Sequence, residues 1–250
     1  MSAGTSSIGT GHPLLHDAFT VCFTGKRERA SRVSSELRRM GVAEHTVVWE
    51  FPSPYRDFVL ERIPHTGEIS AVRGAWGATL GQYRAVKTAY ELGLPHALFT
   101  EDDCRFMLDA GRVYAALDAV PDGWRRNGGV LMLDHFSTEW QGEPSGAWRR
   151  CRETRSTGCY IADRRAMERL IDLYESPVSG KYPNPCMRNC DQWFSFPWFS
   201  DALPIYCSVP HLAVQCDCGD STNYNPKPGL GLQRMLYARL GVDWSLYAGY

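Results

Sequence analysis

No stretch of the chain reaches the roughly 20 consecutive apolar residues that cross a bilayer as a helix. Nor does one sign of charge dominate: 27 Lys and Arg stand against 28 Asp and Glu, a formal net charge of -1. The first absence excludes a transmembrane segment readable from hydropathy. The second, with no basic stripe and no paired aromatics of the RNA-binding kind, excludes nucleic acid as the expected partner. The opening Met1 to Gly11 has neither a basic n-region nor an apolar h-region, so a cytoplasmic protein is expected. The G-x-G-x-x-G dinucleotide fingerprint is missing, and so is the C-x2-C spacing of common zinc sites. Cysteine itself is plentiful, but nine is an odd number and cannot pair completely within the chain. Cys186-x3-Cys190 and Cys216-x-Cys218 form an incomplete zinc pattern, and free thiols in a reducing compartment are the expectation.

What is present is the balance of a soluble globular chain, 44% hydrophobic and 22% charged over 250 residues, enough to bury one large core. Residues 1–12, rich in Gly, Ser and Thr, are expected to be a flexible segment, and 13–250 a single domain. Ala18 to Phe23 reads as a strand, Thr24-Gly25 as a turn, and Arg27 to Met40 as a helix with Ala30, Val33, Leu37 and Met40 at helical spacing. Such a turn can bring helix N-terminal amides and basic side chains to a diphosphate. His45 to Glu50 is the next strand. Residues 51–69, broken by Pro52, Pro54 and Pro64, read as a long loop. Ser70 to Leu92 is a helix whose Arg73, Gln82, Arg84 and Lys87 face solvent or contact a nucleotide or acceptor.

The apolar run Ala97 to Thr100 then ends in three consecutive carboxylates, Glu101, Asp102 and Asp103. Three adjacent like charges repel one another unless a cation or donors compensate them. Open α/β sheets place ligands at the carboxyl ends of their strands. The triplet is therefore either a divalent-metal site or a solvated strand exit. After a helix over Asp109 to Val120, closed by Pro121-Asp122-Gly123, the strand Val130 to Leu133 repeats the form and ends in Asp134 and His135. Ser137 to Arg155 reads as a polar loop and lid candidate. Ser156 to Ala162 is a short apolar strand leading to Asp163 as N-cap of a helix. Leu203 to Ser208 and Leu212 to Gln215 read as short strands, with a loop-rich C-terminal half around them. Strands interleaved with helices predict an α/β fold.

Several of these stretches, in this order, resemble glycosyltransferase family 25, which includes lipooligosaccharide and collagen galactosyltransferases. Val21 to Gly41, with Arg27, Arg29 and Arg32, is similar to that family's opening strand and R-x-x-R helix. Thr66-Gly67-Glu68-Ile69 is similar to its T-x-G-E-I element and Phe99 to Asp103 to its I-L-E-D-D core. Thr157 to Ile161 with Arg164 to Ala166, then Asp191, Gln215 and Ser221, complete the likeness. Ser70-Ala71 and Arg73-Gly74-Ala75 depart from the family's G-C and L-S-H, which marks a divergent member.

The resemblance implies a GT-A-like, Rossmann-type mixed sheet flanked by helices. It also implies a hexosyltransferase that uses a nucleotide-diphosphate sugar, a UDP-hexose, and transfers it to a carbohydrate or other hydroxyl acceptor with Mn2+ or Mg2+. Asp103 is the first metal ligand expected, with Glu101 and His211 as further ones. Thr24, Arg27, Arg29, Arg32, Lys87, Glu101 and Asp102 are the expected donor contacts. Asp191, then Asp134, is the expected carboxylate base of an inverting reaction. Trp193, Phe194 and Trp198 either stack on an acceptor sugar or pack in the core. The alternatives are an inactive carbohydrate-binding or structural protein of the same fold, and another nucleotide-sugar or nucleotidyl transfer enzyme.

Overall fold

β1 (Ala18–Phe23) runs parallel to both β2 (Thr46–Glu50) and β3 (His96–Glu101), with α1 (Arg27–Arg39) leading from β1 towards β2. This is the Rossmann-type start expected of a strand, a turn and an amphipathic helix. The computed structural model describes residues 11–23, 27–50, 69–137, 139–175, 190–195, 199 and 201–215. Of the long loop expected over 51–69, residues 51–68 lie outside them, as do the residues beyond 215, and Ile69 already begins a helix. α2 (Ile69–Glu91) precedes β3, and β4 (Cys104–Phe106) follows it after the Asp102-Asp103 turn. Then come α3 (Ala110–Asp118), α4 (Asp122–Asn127), β5 (Val130–Met132), β6 (Glu139–Ser145), β7 (Trp148–Glu153) and β8 (Cys159–Asp163). α5 (Arg164–Glu175), a 3-10 turn (Cys190–Ser195), β9 (Ile205–Ser208) and β10 (Ala213–Gln215) follow in the described chain.

Eight strands form one mixed sheet in the order β2-β1-β3-β8-β5-β9-β7-β6, and β10 pairs with β4 in a small second sheet. β8 lies antiparallel between β3 and β5. Its first residues therefore meet the last residues of its two neighbours at one edge of the sheet. The α/β class expected from the sequence is the one observed.

Side chains alternate across the strands into two cores, as a sheet covered on both faces requires. Leu98, Leu131 and Ile161 face one side with Val33, Leu37, Val113, Leu117 and Trp124 of the helices α1, α3 and α4. Phe99, Met132 and Tyr160 face the other with Val86, Ala89, Met167 and Leu170 of α2 and α5. Local caps fix the helix starts: the Asp109 carboxylate accepts from Arg112 N–H at 3.0 Å, and that of Asp163 from Ala166 N–H at 3.0 Å and Gly129 N–H at 2.9 Å.

Three expectations are corrected. Ser137 to Arg155 is not a lid but contains the hairpin β6–β7, which extends the sheet through β9. Trp148 and Cys151 anchor it inward, and Gly142 and Gly146 take positive φ of 68° and 59° where it bends. Pro121-Asp122-Gly123 does not merely close a helix, since Asp122 and Gly123 begin α4 with buried Trp124. Within the segment expected to be flexible over 1–12, Gly11 and His12 are held in place, since Gly11 packs on the Gly41 backbone and His12 reaches Asp118 at 3.2 Å.

Trp148 is fully buried, and its indole N–H donates to the Ala116 carbonyl at 2.7 Å, tying the hairpin to α3. Trp148→Ala is expected to destabilise the fold by about 3–5 kcal/mol, read as a lowered urea midpoint.

Candidate functional site

The acidic triplet sits where β3 leaves the sheet, and the three carboxylates have separate surroundings. Glu101 is the last residue of β3. One of its oxygens accepts from the Thr157 hydroxyl at 2.7 Å and more distantly from the Gln82 amide at 3.4 Å; the other accepts from the Gln215 amide at 2.9 Å. Gln82 is itself placed by the Thr157 carbonyl at 3.2 Å and the Tyr160 hydroxyl at 3.1 Å. Burial keeps that phenol protonated, its pKa pushed well above the ordinary range with Cys190 and Glu101 adding to the shift. Neutral donors from α2, the start of β8 and β10 thus reach Glu101.

Asp102 is buried beside an equally buried Arg29, Nη1 to Oδ1 3.2 Å. Arg29 comes from the first turn of α1, which the parallel pairing of β1 and β3 brings over the acidic turn. Farther along α1, Arg39 donates to the carbonyls of Phe106 and Leu108 at 2.7 and 3.0 Å, and Glu36 accepts from Phe106 N–H at 3.3 Å. α1 therefore clamps both sides of the turn. Removing one partner of a buried ion pair leaves the other charge uncompensated, a loss of roughly 3–5 kcal/mol. Asp103 completes the turn, half-buried, immediately before β4.

At the neighbouring strand ends, Asp134 is fully buried, and its Oδ2 accepts from the Ser156 hydroxyl at 2.6 Å. A Cβ on Gly158 would stand 2.5 Å from that same Oδ2 and 2.8 Å from Cγ of Gln215. Only glycine leaves room for both side chains over the start of β8. The carboxylate and the amide that binds Glu101 thus share one floor, which no local sequence signal marks.

Other expected site residues lie elsewhere. Lys87 donates to Glu175 on α5 at 2.7 Å and to the Tyr83 hydroxyl at 2.9 Å; both contacts raise its pKa, and Tyr83 itself donates to Glu175. It serves the α2–α5 packing rather than the acidic turn. Arg32 is exposed on α1. His211 donates Nε2–H to the His135 carbonyl at 2.8 Å and stacks on the His135 ring at 3.9 Å. Next to it in sequence, Leu212 accepts from Met107 N–H, whereas Gln215 pairs with Cys104. His211 thus stands at the far end of the β4–β10 ladder from Asp103 and is not brought to it. Trp193 and Phe194 are fully buried, with Phe194 edge-on to Tyr160 and Phe199, so they pack the core instead of offering a sugar platform.

Asp191 belongs to the 3-10 turn, which is tethered by Cys190 N–H to Thr79 Oγ1 at 2.9 Å and by Cys190 Sγ beside Thr157 Oγ1 at 3.3 Å. Its backbone is one residue from the Glu101 network. Thr24, Trp198 and the side chains of Arg27 and Asp191 lie outside the described residues. Of the incomplete zinc pattern only Cys190 is described. Among the described residues no three His, Cys, Asp or Glu side chains converge as a metal cluster, and no helix is long and apolar enough to cross a membrane.

No protein-family model and no curated protein matches the chain. Among solved structures, it is similar to a glycosyltransferase involved in glycosylation of the major capsid of PBCV-1, at 12% identity and TM-score 0.43 over 89% of this chain and 99% of that one. It is also similar to the inositol-1-phosphate CTP transferase from T. maritima, at 12% and 0.43 over 93% and 99%. A third is the mannose-1-phosphate geranyltransferase from Thermus thermophilus, at 13% and 0.38 over 78% and 74%.

The stacked histidines carry a pH consequence. Burial, with the neighbouring His211 ring, drives the pKa of His135 well below its ordinary 6.5, and burial brings His211 to about 4. The unfolded chain takes up these protons near pH 6.5 while the folded chain refuses them. Stability present above pH 6.5 is therefore lost as the pH falls towards 4, by up to about 1.4 kcal/mol per pH unit for each ring. Urea unfolding at pH 7, 5.5 and 4.5 is expected to show the decline, and His211→Gln a shallower one.

Proposed function

We propose that the chain transfers a sugar from a nucleotide-diphosphate sugar, a UDP-hexose, to a carbohydrate or other hydroxyl acceptor, assisted by Mn2+ or Mg2+. The observation that carries this reading is the place of the acidic turn, directly after the carboxyl end of β3, which runs parallel to β1, where open α/β sheets bind their ligands. Asp103 is the carboxylate assigned to a cation there. The sequence likeness to family 25 supports the same chemistry.

The donor set fits such an ion. Mg2+ and Mn2+ take oxygen ligands and are commonly held by one or two carboxylates together with substrate phosphates and water. Asp103 would hold the ion here. When bound, the ion neutralises charge developing on the diphosphate leaving group. Asp102, fixed by Arg29, orients the donor side. If the reaction inverts the anomeric centre, a carboxylate must take the acceptor proton. Asp191, on the turn beside Thr157, is assigned that role ahead of Asp134, whose carboxylate has no exposed surface.

Calorimetric titration with UDP-, GDP- and CDP-sugars, with and without Mn2+, tests the reading. Metal-dependent binding of one donor and its slow hydrolysis are expected. Asp103→Ala is expected to retain the circular dichroism of the fold and lose roughly 100-fold or more in turnover. Absence of metal-dependent donor binding together with absence of hydrolysis contradicts sugar transfer. Turnover of a nucleoside triphosphate with a sugar phosphate replaces it with nucleotidyl transfer.

A further inference from the structure

Ser156 has a backbone conformation that serine rarely adopts. Its φ is 110°, in the half of conformational space where side chains other than glycine's are strained. It is the one such non-glycine residue among those described. Glycine would occupy the position without strain, and glycines are used at Gly128 and Gly129, where φ is 73° and 120°. A hydroxyl is found here instead, fully engaged and almost completely buried.

That hydroxyl joins two strand ends. Its proton goes to Asp134 Oδ2 at 2.6 Å, and its oxygen accepts from Gly158 N–H at 3.0 Å. The Gly158 carbonyl in turn accepts from Glu101 N–H at 3.0 Å, the first residue of the acidic triplet. Backbone contacts hold the strained segment on either side. Phe136 N–H donates to the Arg155 carbonyl at 3.0 Å, and Leu133 and Asp134 N–H both donate to the Cys159 carbonyl, at 3.0 and 3.1 Å. The path from Asp134 to the acidic turn runs through hydrogen bonds alone: carboxylate, serine hydroxyl, Gly158 peptide, Glu101 amide.

We infer that Ser156 is a positioning residue of the transfer site, a strained brace that uses the buried Asp134 carboxylate to fix the Gly158 peptide and, through it, the backbone of Glu101 ahead of Asp102 and Asp103. The inference rests on the proposed sugar transfer. Backbone strain persists where the surroundings over-determine it, and such positions cluster at functional sites. Serine at this φ carries backbone strain that glycine would not, and what it gains is the hydroxyl that links the buried Asp134 carboxylate to the Gly158 peptide. Stability and positioning both draw on that hydroxyl, so the two roles separate only when turnover and stability are measured side by side.

Two substitutions separate the brace from a merely structural serine. Ser156→Gly removes the hydroxyl and the strain together, and Ser156→Ala removes the hydroxyl and leaves the strain. With donor and Mn2+, both are expected to lose roughly 10- to 100-fold in kcat, the range for a hydrogen bond to a charged group, with a much smaller change in the donor KM. In thermal melts the glycine variant is expected to outlast the alanine variant. Low kcat at a Tm near that of the parent chain for Ser156→Gly supports the brace, also when Ser156→Ala fails to fold. Wild-type kcat in Ser156→Gly, or kcat that follows Tm across the variants, overturns it and leaves the transfer reaction standing. A parent chain that neither binds nor hydrolyses any nucleotide sugar overturns the reaction, and the brace with it.

Discussion

Mutual repulsion of three adjacent carboxylates is the constraint around which this edge of the sheet is built. Two unit charges about 5 Å apart at an effective dielectric near 20 repel by roughly 3 kcal/mol, so a triplet at a partly buried strand end requires compensation. The fold treats each member differently. Glu101 is turned among the donors of Thr157, Gln82 and Gln215, and Asp102 is matched by the buried Arg29. Asp103 stands between the large sheet and the small one. The carboxylates are thereby spread over three environments instead of competing for one.

The antiparallel strand β8 makes this arrangement possible. Lying between β3 and β5, it brings its opening residues, Ser156 to Gly158, to the carboxyl ends of both neighbours. Thr157 then faces Glu101, Ser156 faces Asp134, and Gly158 leaves space for Asp134 and Gln215. Three consecutive positions thus perform three separate tasks. α1 closes the other side, with Arg29 on Asp102 at one end and Arg39 on the carbonyls after β4 at the other.

Much of the framework is legible in the sequence because it rests on local periodicity. Ala18 to Phe23, Arg27 to Arg39, His96 to Glu101 and the helix after Asp163 follow from alternation, helical spacing and capping. The hairpin β6–β7 is hidden because most of β6 is exposed and β7 buries only Trp148 and Cys151, interrupted by Arg149, Arg150 and Arg152; its stability comes from pairing with β9, which no local pattern records. At the site, the triplet is visible as a strand end, but its division is not. Arg29 meets Asp102 across 73 residues and Gln215 meets Glu101 across 114. The same distance effect sends Lys87 to Glu175 and His211 to His135 instead of to the acidic turn. Ser156 looks like ordinary strand-edge sequence, and only its backbone angle sets it apart.

The central claim is that the three carboxylates have different duties and that Asp103 is the one assigned to the cation. A crystal structure of the chain with UDP and Mn2+ tests it most directly through the anomalous signal of manganese. The expected result is the ion on Asp103 and the diphosphate oxygens, with Arg29 still on Asp102 and Gln215 still on Glu101. An ion bound by Glu101 with its three donors displaced, or UDP seated away from the acidic turn, would contradict it.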